Sequence, residues 1–331
     1  MVNKAAVAVI GSGMAGVTLA RLLIDFCPSV EVTLFEKSRG VGGRMATRYT
    51  EAIEHDHGAQ FFTARGKRFK DFLKPFKSAF KVWPAVTTTL SPDRKEYSRM
   101  WFEPHYVGTP RMNSLCKRIA KELDVKLNHK VVKIDGVPKR WFLEAENTRF
   151  GPFEWIVSTA PAPQTQEIFK EPALHAPYDA IYALMAQTTK RPDFDAAVVR
   201  DSPISWVAVT SSKPERSQLN QAGIVAHSQP EWTAKHLELP LEEVKQKLCD
   251  AVKKLGIGGL QRESAMLHLW RFAQPRGAET NRFFVDVHKQ LAACGDWFIG
   301  DTVESAFESA YELFLILRPQ FSSEEANGKS V

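Results

Sequence analysis

The pattern of apolar positions near the N-terminus predicts a strand, a helix and a second strand in succession. Residues 4–10 are small or β-branched, as in a parallel strand that is buried on both faces. Residues 17–26 carry apolar side chains at helical spacing, and residues 30–35 form another apolar strand. A β-α-β unit is therefore predicted, and α/β is the expected fold class.

Short apolar runs farther along the chain predict additional strands, which end at residues that favour turns. They cover residues 52–60, 131–134 and 155–159, and residues 291–296 are predicted as a short strand running into a glycine turn. A helix is predicted to begin near Val303.

The composition is that of an ordinary globular chain. The 331 residues include 44 Lys+Arg and 38 Asp+Glu, for a net charge of +6, and 44% of them are hydrophobic. At roughly 150 residues per domain, the length suggests about two domains. The charges are spread along the chain, which favours a solvated basic surface over nucleic-acid binding.

The sequence argues against a membrane span, a secretory leader and a disulfide framework. No apolar run reaches about 18 residues, the length that a membrane helix needs. The apolar run after Lys4 breaks at Gly11 and is followed by a polar-patterned helix, unlike a signal sequence. Four cysteines without metal-ligand spacing indicate reduced thiols, so a cytoplasmic protein is expected.

A glycine-rich turn joins the first strand to the first helix. Gly11, Gly13 and Gly16 form a G-x-G-x-x-G motif that also contains Met14 and Ala15. These glycines permit a tight turn, close approach of a pyrophosphate and close packing of helix on strand. Glu36 ends the second strand, where its carboxylate can accept hydrogen bonds from ribose hydroxyls. The complete arrangement predicts a dinucleotide site.

The loop after Glu36 indicates which dinucleotide is bound. It contains Lys37 and continues to Gly42, Gly43 and Arg44, in the pattern E-x5-G-G-R-x-x-T. This pattern resembles the second FAD-contacting motif of the flavin amine oxidase superfamily. The resemblance implies that the paired glycines pass close to the cofactor and that the arginine contacts it.

Matches to one family extend over almost the whole chain. Residues 54–65 (EHDHGAQFFTAR) resemble the D-x-G-A-Q stretch of renalases. Further matches are 106–110 (YVGTP), 159–164 (TAPAPQ), 201–206 (DSPISW), 212–216 (SKPER), 268–275 (HLWRFAQP) and 294–297 (CGDW). The chain is identified as similar to bacterial renalase-like flavoproteins.

This resemblance implies a fold and an activity. The implied fold is like p-hydroxybenzoate hydroxylase: a Rossmann-type FAD-binding domain interleaved with a mixed-sheet substrate domain. FAD is bound without a covalent bond. The implied substrates are aberrant dihydronicotinamide dinucleotides with the hydride at ring position 2 or 6. The implied products are NAD(P)+ and, after O2 reoxidises the flavin, hydrogen peroxide.

The resemblance also implies which residues contact the flavin. Gln60 lies near its reactive edge, Val132 meets the adenine, Asp296 bonds the ribityl or pyrophosphate region, and a helix N-terminus faces the pyrimidine carbonyl. Besides the turn and loop residues already named, the implied contacts are Ala59, Gln60, Phe61, Val132, Thr159, Gly295, Asp296, Val303, Glu304 and Ser305. Ser305 stands where members of the family commonly have glycine.

The substrate half carries the candidate catalytic residues. A dihydronicotinamide becomes aromatic by losing a hydride alone, so the reaction requires positioning rather than a general base. Gln60, Trp206, His227 and Trp270 are the candidates, although a residue such as any of the last three is more often core or rim than ligand. His55 and His57 would share one face of the predicted strand, which leaves too few ligands for a metal.

The expected division of the chain is interleaved. FAD-binding parts cover 1–75, 105–165 and 285–322, substrate-domain parts cover 76–104 and 166–284, and 323–331 forms a disordered tail. Two other functions stay open. One is an amine oxidase, for which neither the usual lysine nor an aromatic cage can be placed. The other is a flavin-binding redox sensor without turnover. The sequence does not decide between the 2- and 6-dihydro isomers, between NAD and NADP, or the oligomeric state.

Overall fold

The computed structural model of the chain describes residues 4–49, 53–93, 97–216, 222–277 and 281–321. The tail predicted over 323–331 lies outside these residues. The helices are α1 (Met14–Phe26), α2 (Lys67–Leu73), α3 (Ser114–Ile119), α4 (Ala162–Phe169), α5 (Pro230–Lys235), α6 (Leu241–Lys254) and α7 (Val303–Leu317). Short 3-10 turns cover Gly43–Met45, Lys74–Ala79, Thr210–Ser212, Asp296–Phe298 and Arg318–Phe321.

The strands are mostly short. They are β1 (Ala5–Ile10), β2 (Val30–Phe35), β3 (Thr47–Tyr49), β4 (Glu54–Asp56), β5 (Phe80–Val82), β6 (Thr87–Leu90), β7 (Tyr97–Arg99), β8 (Tyr106–Gly108), β9 (Asp124–Lys126), β10 (Val131–Val137), β11 (Arg140–Ala145), β12 (Thr148–Phe153), β13 (Trp155–Ser158), β14 (Tyr178–Thr188), β15 (Ala196–Val199), β16 (Ile204–Val209), β17 (Ala222–Ser228), β18 (Leu260–Pro275), β19 (Phe284–Asp286) and β20 (Leu291–Ala293).

The chain divides into two compact units, each assembled from separate segments. Unit 1 consists of Met1–Gly43, Cys116–Pro177 and Pro275–Val331, and unit 2 of Arg44–Leu115 and Tyr178–Gln274. By this division, the segment 44–75, expected in the FAD-binding part, lies in unit 2.

Unit 1 is built on a six-stranded sheet in the order β19-β20-β13-β1-β2-β9. The strands from β20 to β9 are parallel to their neighbours, and only β19 is antiparallel. Strand β1 is central, and Val7, Ala8 and Val9 are fully buried in it. Helix α1 packs against α7, and β10, β11 and β12 form a separate antiparallel sheet.

Unit 2 is built on a seven-stranded sheet in the order β18-β14-β17-β16-β15-β6-β7. Its pairing is antiparallel between β14 and β17, β17 and β16, and β16 and β15, whereas β15 and β6 are parallel. Helix α6 covers it, and Val244, Leu248 and Val252 are fully buried in the core between them.

The predicted β-α-β unit and the α/β fold class with interleaved parts are confirmed. Strand β2 has the predicted limits, and α1 begins at Met14, directly after the glycine turn. The strand predicted over 52–60 is wrong beyond Asp56, where β4 ends. The backbone carbonyls that follow are taken by side chains instead of by a neighbouring strand, as described below.

Candidate functional site

The turn between β1 and α1 has no room for side chains at two of its glycines. Gly11 has a φ of 101°, in the region that favours glycine, and a β-carbon there would lie 2.7 Å from Thr159 Oγ1. A β-carbon on Gly16 would lie 2.1 Å from the Gly11 carbonyl oxygen. Thr159, at the end of β13, donates its hydroxyl to the Ile10 carbonyl oxygen at 2.9 Å. The helix therefore begins tightly against the ends of β1 and β13.

The N-terminus of α1 is open to an anion. Within the described residues, no side chain caps the first turn at Gly13. A β-carbon on Gly43 would lie 3.2 Å from Gly13 Cα, and Gly42 N–H donates to the Ser12 carbonyl at 2.9 Å. Two glycine segments thus meet where the helix presents N–H groups and the positive end of its dipole, which suits a phosphate.

Glu36 is held in a fixed orientation at the end of β2. Its carboxylate accepts hydrogen bonds from Ser12 N–H at 3.0 Å and Ser12 Oγ at 2.8 Å. The other oxygen accepts from Ser38 N–H at 2.9 Å, and the side chain is buried. A carboxylate has about four lone-pair positions, so this one can still accept from ribose hydroxyls.

The other predicted cofactor residues of unit 1 lie on several elements. Gly295 N–H donates to Ser309 Oγ at 3.0 Å, and Asp296 beside it is buried. Ser305 N–H, at the start of α7, donates to the capping hydroxyl of Thr302 at 3.0 Å, so this donor is already used. Met14 and Ala15 are buried in α1, Lys37 is exposed, Val303 and Glu304 are half-buried, and Val132 on β10 is 46% exposed.

The centre of unit 2 is a buried carboxylate that accepts four hydrogen bonds. Asp56 Oδ1 accepts from Thr47 Oγ1 at 2.6 Å and from Met112 N–H at 3.1 Å. Its Oδ2 accepts from Lys213 Nζ at 3.0 Å and from Arg216 Nη2 at 2.6 Å. The side chains of Asp56 and Lys213 are fully buried, and that of Arg216 is 2% exposed.

The charged centre of unit 2, formed by Asp56, Lys213 and Arg216, has two cations for one carboxylate. Burial by itself raises the pKa of Asp56, but Lys213 and Arg216 outweigh it and hold the pKa of this carboxyl below its ordinary value. Burial lowers the pKa of Lys213, and the attraction of Asp56 offsets only part of that effect. With Lys213 protonated, the three groups carry a net charge of +1.

Gln60 is fully engaged with the protein. Its Nε2 donates to the backbone carbonyls of Asp56 and Gly58, the second at 3.0 Å. Its Oε1 accepts from Lys213 Nζ at 3.2 Å, and the side chain is buried. Both amide hydrogens are therefore used within unit 2.

The backbone at Gly58 and Ala59 lies against that of Arg44. A β-carbon on Gly58 would be 1.9 Å from the Arg44 carbonyl oxygen, and Ala59 N–H donates to the same oxygen at 2.8 Å. Arg44 in turn donates from Nη1 to the Ala273 carbonyl at 3.1 Å. Only glycine fits at position 58.

The His57 carbonyl lies at the centre of an aromatic cluster. Trp270 Nε1 donates to this oxygen at 2.9 Å, and His227 Nε2 lies 3.2 Å from it. The Trp270 ring stacks on the His57 imidazole, with centroids 5.0 Å apart. His268 meets the His57 ring edge-on at 4.9 Å. We call His57, His227, His268 and Trp270 the His57 cluster.

The buried imidazoles of this cluster are neutral at physiological pH. Burial lowers the pKa of His57 to about 3 and that of His227 to about 4. Trp206 pairs with His227 across β16 and β17, and its ring lies 5.8 Å from that of Phe61. His57 Nδ1 and Trp206 Nε1 are buried without a hydrogen-bond partner among the described residues. The described residues contain no group of three or more His, Cys, Asp or Glu placed to hold a metal.

Comparisons with known proteins agree with this geometry. A family model described as NAD(P)-binding Rossmann-like domain matches residues 9–76. Renalase from Mus musculus is 20% identical over 342 residues, covering 94% of this chain and 98% of the mouse protein. The chain is therefore similar to renalase over almost its whole length.

Solved structures share the fold of this chain. A protein from Exiguobacterium sp. with the provisional name protoporphyrinogen oxidase has a TM-score of 0.78 at 12% identity, covering 97% of this chain and 100% of that chain. Putrescine oxidase bound to putrescine has a TM-score of 0.72 at 11% identity, covering 95% and 99%. At these identities the solved structures show a shared fold. None of the described helices of this chain is long and apolar enough to cross a membrane.

Sequence reasoning missed the charged centre of unit 2. The sequence shows these residues only as members of the family-like motifs at 54–65, which contains Asp56, and 212–216, which contains Lys213 and Arg216. One signal was present: a Lys and an Arg lie three residues apart shortly after the apolar run Ile204–Val209. The sequence does not reveal that both cations are buried on one carboxylate.

Proposed function

We propose that the chain is an FAD-dependent oxidase of aberrant dihydronicotinamide dinucleotides, with the hydride at ring position 2 or 6. The substrate loses a hydride and becomes NAD(P)+. The two electrons then pass to O2. O2 also takes up two protons, the one delivered with the hydride and one from solvent, and becomes H2O2. The His57 cluster carries the proposal, because it brings four aromatic rings together, and its His57 and His227 imidazoles are neutral, which suits a planar uncharged ring.

Unit 1 has the residues to hold FAD without a covalent bond. Its open α1 N-terminus at Gly13 suits the pyrophosphate, and Glu36 is oriented to accept from a ribose. FAD, when bound, supplies a two-electron acceptor. Gly43, Thr159, Gly295 and Asp296 stay proposed contacts, as do the residues at the start of α7.

The neutral state of the His57 cluster suits hydride loss. With pKa values of about 3 and 4, His57 and His227 carry no charge at neutral pH and do not titrate there. Losing a hydride makes the dihydropyridine cationic and aromatic, and no proton leaves the reacting carbon. Positioning by Trp270, Trp206 and Phe61 is then the main requirement on this chain.

The decisive experiment is anaerobic mixing of the purified, flavin-loaded protein with borohydride-reduced NAD+, which contains the 2- and 6-dihydro isomers. We expect the flavin absorbance to bleach rapidly, and to return with stoichiometric peroxide when air is admitted. Ordinary NADH, with the hydride at position 4, is the matched control. Equal bleaching rates for the two preparations would contradict the proposal and indicate a general NADH oxidase. Bleaching without peroxide release would favour a redox sensor.

An amine oxidase is the second candidate, because unit 2 contains a buried lysine, the residue type that such enzymes usually carry near the flavin. Lys213 lies in unit 2 with the Trp83 ring 5.3 Å from its Nζ. A panel of primary amines and polyamines, putrescine included, tests this candidate in the same anaerobic assay. Bleaching by an amine but not by the dihydronicotinamide isomers would establish it.

A further inference from the structure

Lys213 is a buried charged group that the proposed reaction leaves unused. It directly follows the 3-10 turn Thr210–Ser212, and only 2% of the residue is exposed. Its Nζ contacts two side-chain oxygens, Asp56 Oδ2 and Gln60 Oε1. Asp56 does not need this bond for neutralisation, because Arg216 already pairs with it at 2.6 Å.

The lysine decides the orientation of the Gln60 amide. An ammonium group only donates hydrogen bonds, so it must face Oε1 rather than Nε2. The Nε2 group then points to the carbonyls of Asp56 and Gly58, as observed. A rotated amide would set Nε2 against an ammonium and Oε1 against two carbonyl oxygens, which are repulsive pairings.

The oriented amide controls the backbone on both sides of His57. Gln60 engages the carbonyls of Asp56 and Gly58, while Trp270 and His227 engage the carbonyl between them. Three successive carbonyls are thus fixed by side chains where β4 has ended. Hydrogen bonds and the backbone of the segment Asp56–Gly58 together join Lys213 to the His57 cluster.

We propose that Lys213 is a positioning residue that acts through Gln60 to hold the segment Asp56–Gln60, and with it the His57 cluster, in one conformation. Its role in turnover rests on the proposed function, whereas its role in ordering the segment does not.

Arg216, which like Lys213 is paired with Asp56, provides a matched control. It is buried on the same carboxylate oxygen and also donates to the Gly108 carbonyl at 3.3 Å, but neither contact involves Gln60. Lys213→Met and Arg216→Met each remove one cation and each leave Asp56 Oδ2 with one cationic partner. Only the first removes the donor to Gln60.

The first test is hydrogen–deuterium exchange of the flavin-loaded protein, followed in peptides covering residues 57–62. We expect Lys213→Met and Gln60→Leu to accelerate exchange there at least about tenfold, and Arg216→Met to leave it within about threefold. If Lys213→Met does not fold, Lys213→Gln serves in its place. Equal acceleration by the lysine and arginine variants, or none by either, would overturn the proposal.

The second test is a double-mutant cycle on the rate of flavin reduction by the borohydride-reduced NAD+ preparation. We expect Lys213→Met and Gln60→Leu each to slow reduction by about 10- to 100-fold, with the double variant no slower than the worse single variant. Arg216→Met combined with Gln60→Leu should instead give the product of the separate effects. Multiplicative effects of Lys213→Met and Gln60→Leu would overturn the role in turnover. If the unaltered protein does not oxidise the isomers, the proposed function fails, and the exchange experiment alone decides the role of Lys213.

Discussion

Three residues of the segment Asp56–Gln60 have separate physical roles. Asp56 gathers four donors, Gly58 leaves no space for a β-carbon beside Arg44, and Gln60 donates to two backbone carbonyls. Packing and hydrogen bonding within unit 2 therefore account for the Asp, Gly and Gln of the family-like motif.

Asp56→Asn is expected to destabilise the protein severely. The substitution leaves Lys213 and Arg216 buried side by side without a counter-charge. The unfolding free energy should fall by about 3–5 kcal/mol, the range for breaking a buried ion pair. Denaturant unfolding measures the change. Adding Lys213→Met should recover part of the loss by removing one cation, and a double variant less stable than Asp56→Asn would contradict this explanation.

Trp270 combines a ring that stacks on His57 with an N–H that donates to its carbonyl. Trp270→Ala removes both, so it should slow flavin reduction by the 2- and 6-dihydro isomers about 10- to 100-fold. It should also bring the rates of flavin reduction by these isomers and by NADH closer together. Trp270→Phe keeps a ring and should retain more of the rate. Stopped-flow reduction with purified isomers provides the measurement. An unchanged isomer preference in Trp270→Ala would show that another group sets it.

At the scale of elements, the glycine motif at the start of α1 contains two glycines whose surroundings differ in how much space they leave for a side chain. A β-carbon on Gly13 would have no protein atom closer than 3.9 Å, whereas one on Gly16 would overlap the Gly11 carbonyl. The first glycine is thus free of protein crowding, and the second is required for the packing of α1.

Gly13→Ala and Gly16→Ala are therefore expected to separate cofactor binding from folding. Gly13→Ala should lose FAD on gel filtration while the thermal unfolding of flavin-free protein stays within a few degrees of the unaltered flavin-free protein. Gly16→Ala should reduce both the retention of FAD and the thermal stability of the flavin-free protein. Gly40→Ala, where a β-carbon meets nothing within 4 Å, is the control. If Gly13→Ala stays fully yellow, the pyrophosphate does not lie at this turn.

The early end of β4 shows how side chains can terminate a strand. Sequence periodicity continues through residue 60, but the carbonyls of Asp56, His57 and Gly58 are occupied by Gln60, Trp270 and His227. Trp270 is 213 residues from His57 along the chain, so no local pattern could indicate this competition.

For the whole molecule, buried histidines are expected to make the free energy of unfolding fall as the pH is lowered. Burial lowers the pKa of His55 to about 4 and that of His57 to about 3, from 6.5. Below about pH 6.5 the unfolded chain therefore binds protons that the folded chain excludes, and stability falls as pH drops toward 4. Each histidine contributes up to about 1.4 kcal/mol per pH unit.

Denaturant unfolding between pH 7 and 4.5 checks this dependence. The pKa of His227 is likewise lowered to about 4, so the slope should approach about 4 kcal/mol per pH unit from the three histidines together. His55→Phe keeps a ring without a titrating group and should reduce the slope by about one proton. A slope that is the same in this variant would mean that His55 is charged in the folded protein.

The sequence by itself determined the β-α-β unit, the dinucleotide turn and the α/β class, because these depend on residues close together in the chain. Hydrophobic period, glycine spacing and the acid at the end of β2 are all local signals. Only the tertiary structure decided the centre of unit 2. Lys213 and Arg216 reach Asp56 across 157 and 160 residues, and their importance comes from burial, which exists only after the strands have assembled. An exposed charged residue and a buried one look alike in sequence, whereas a buried charge needs a partner.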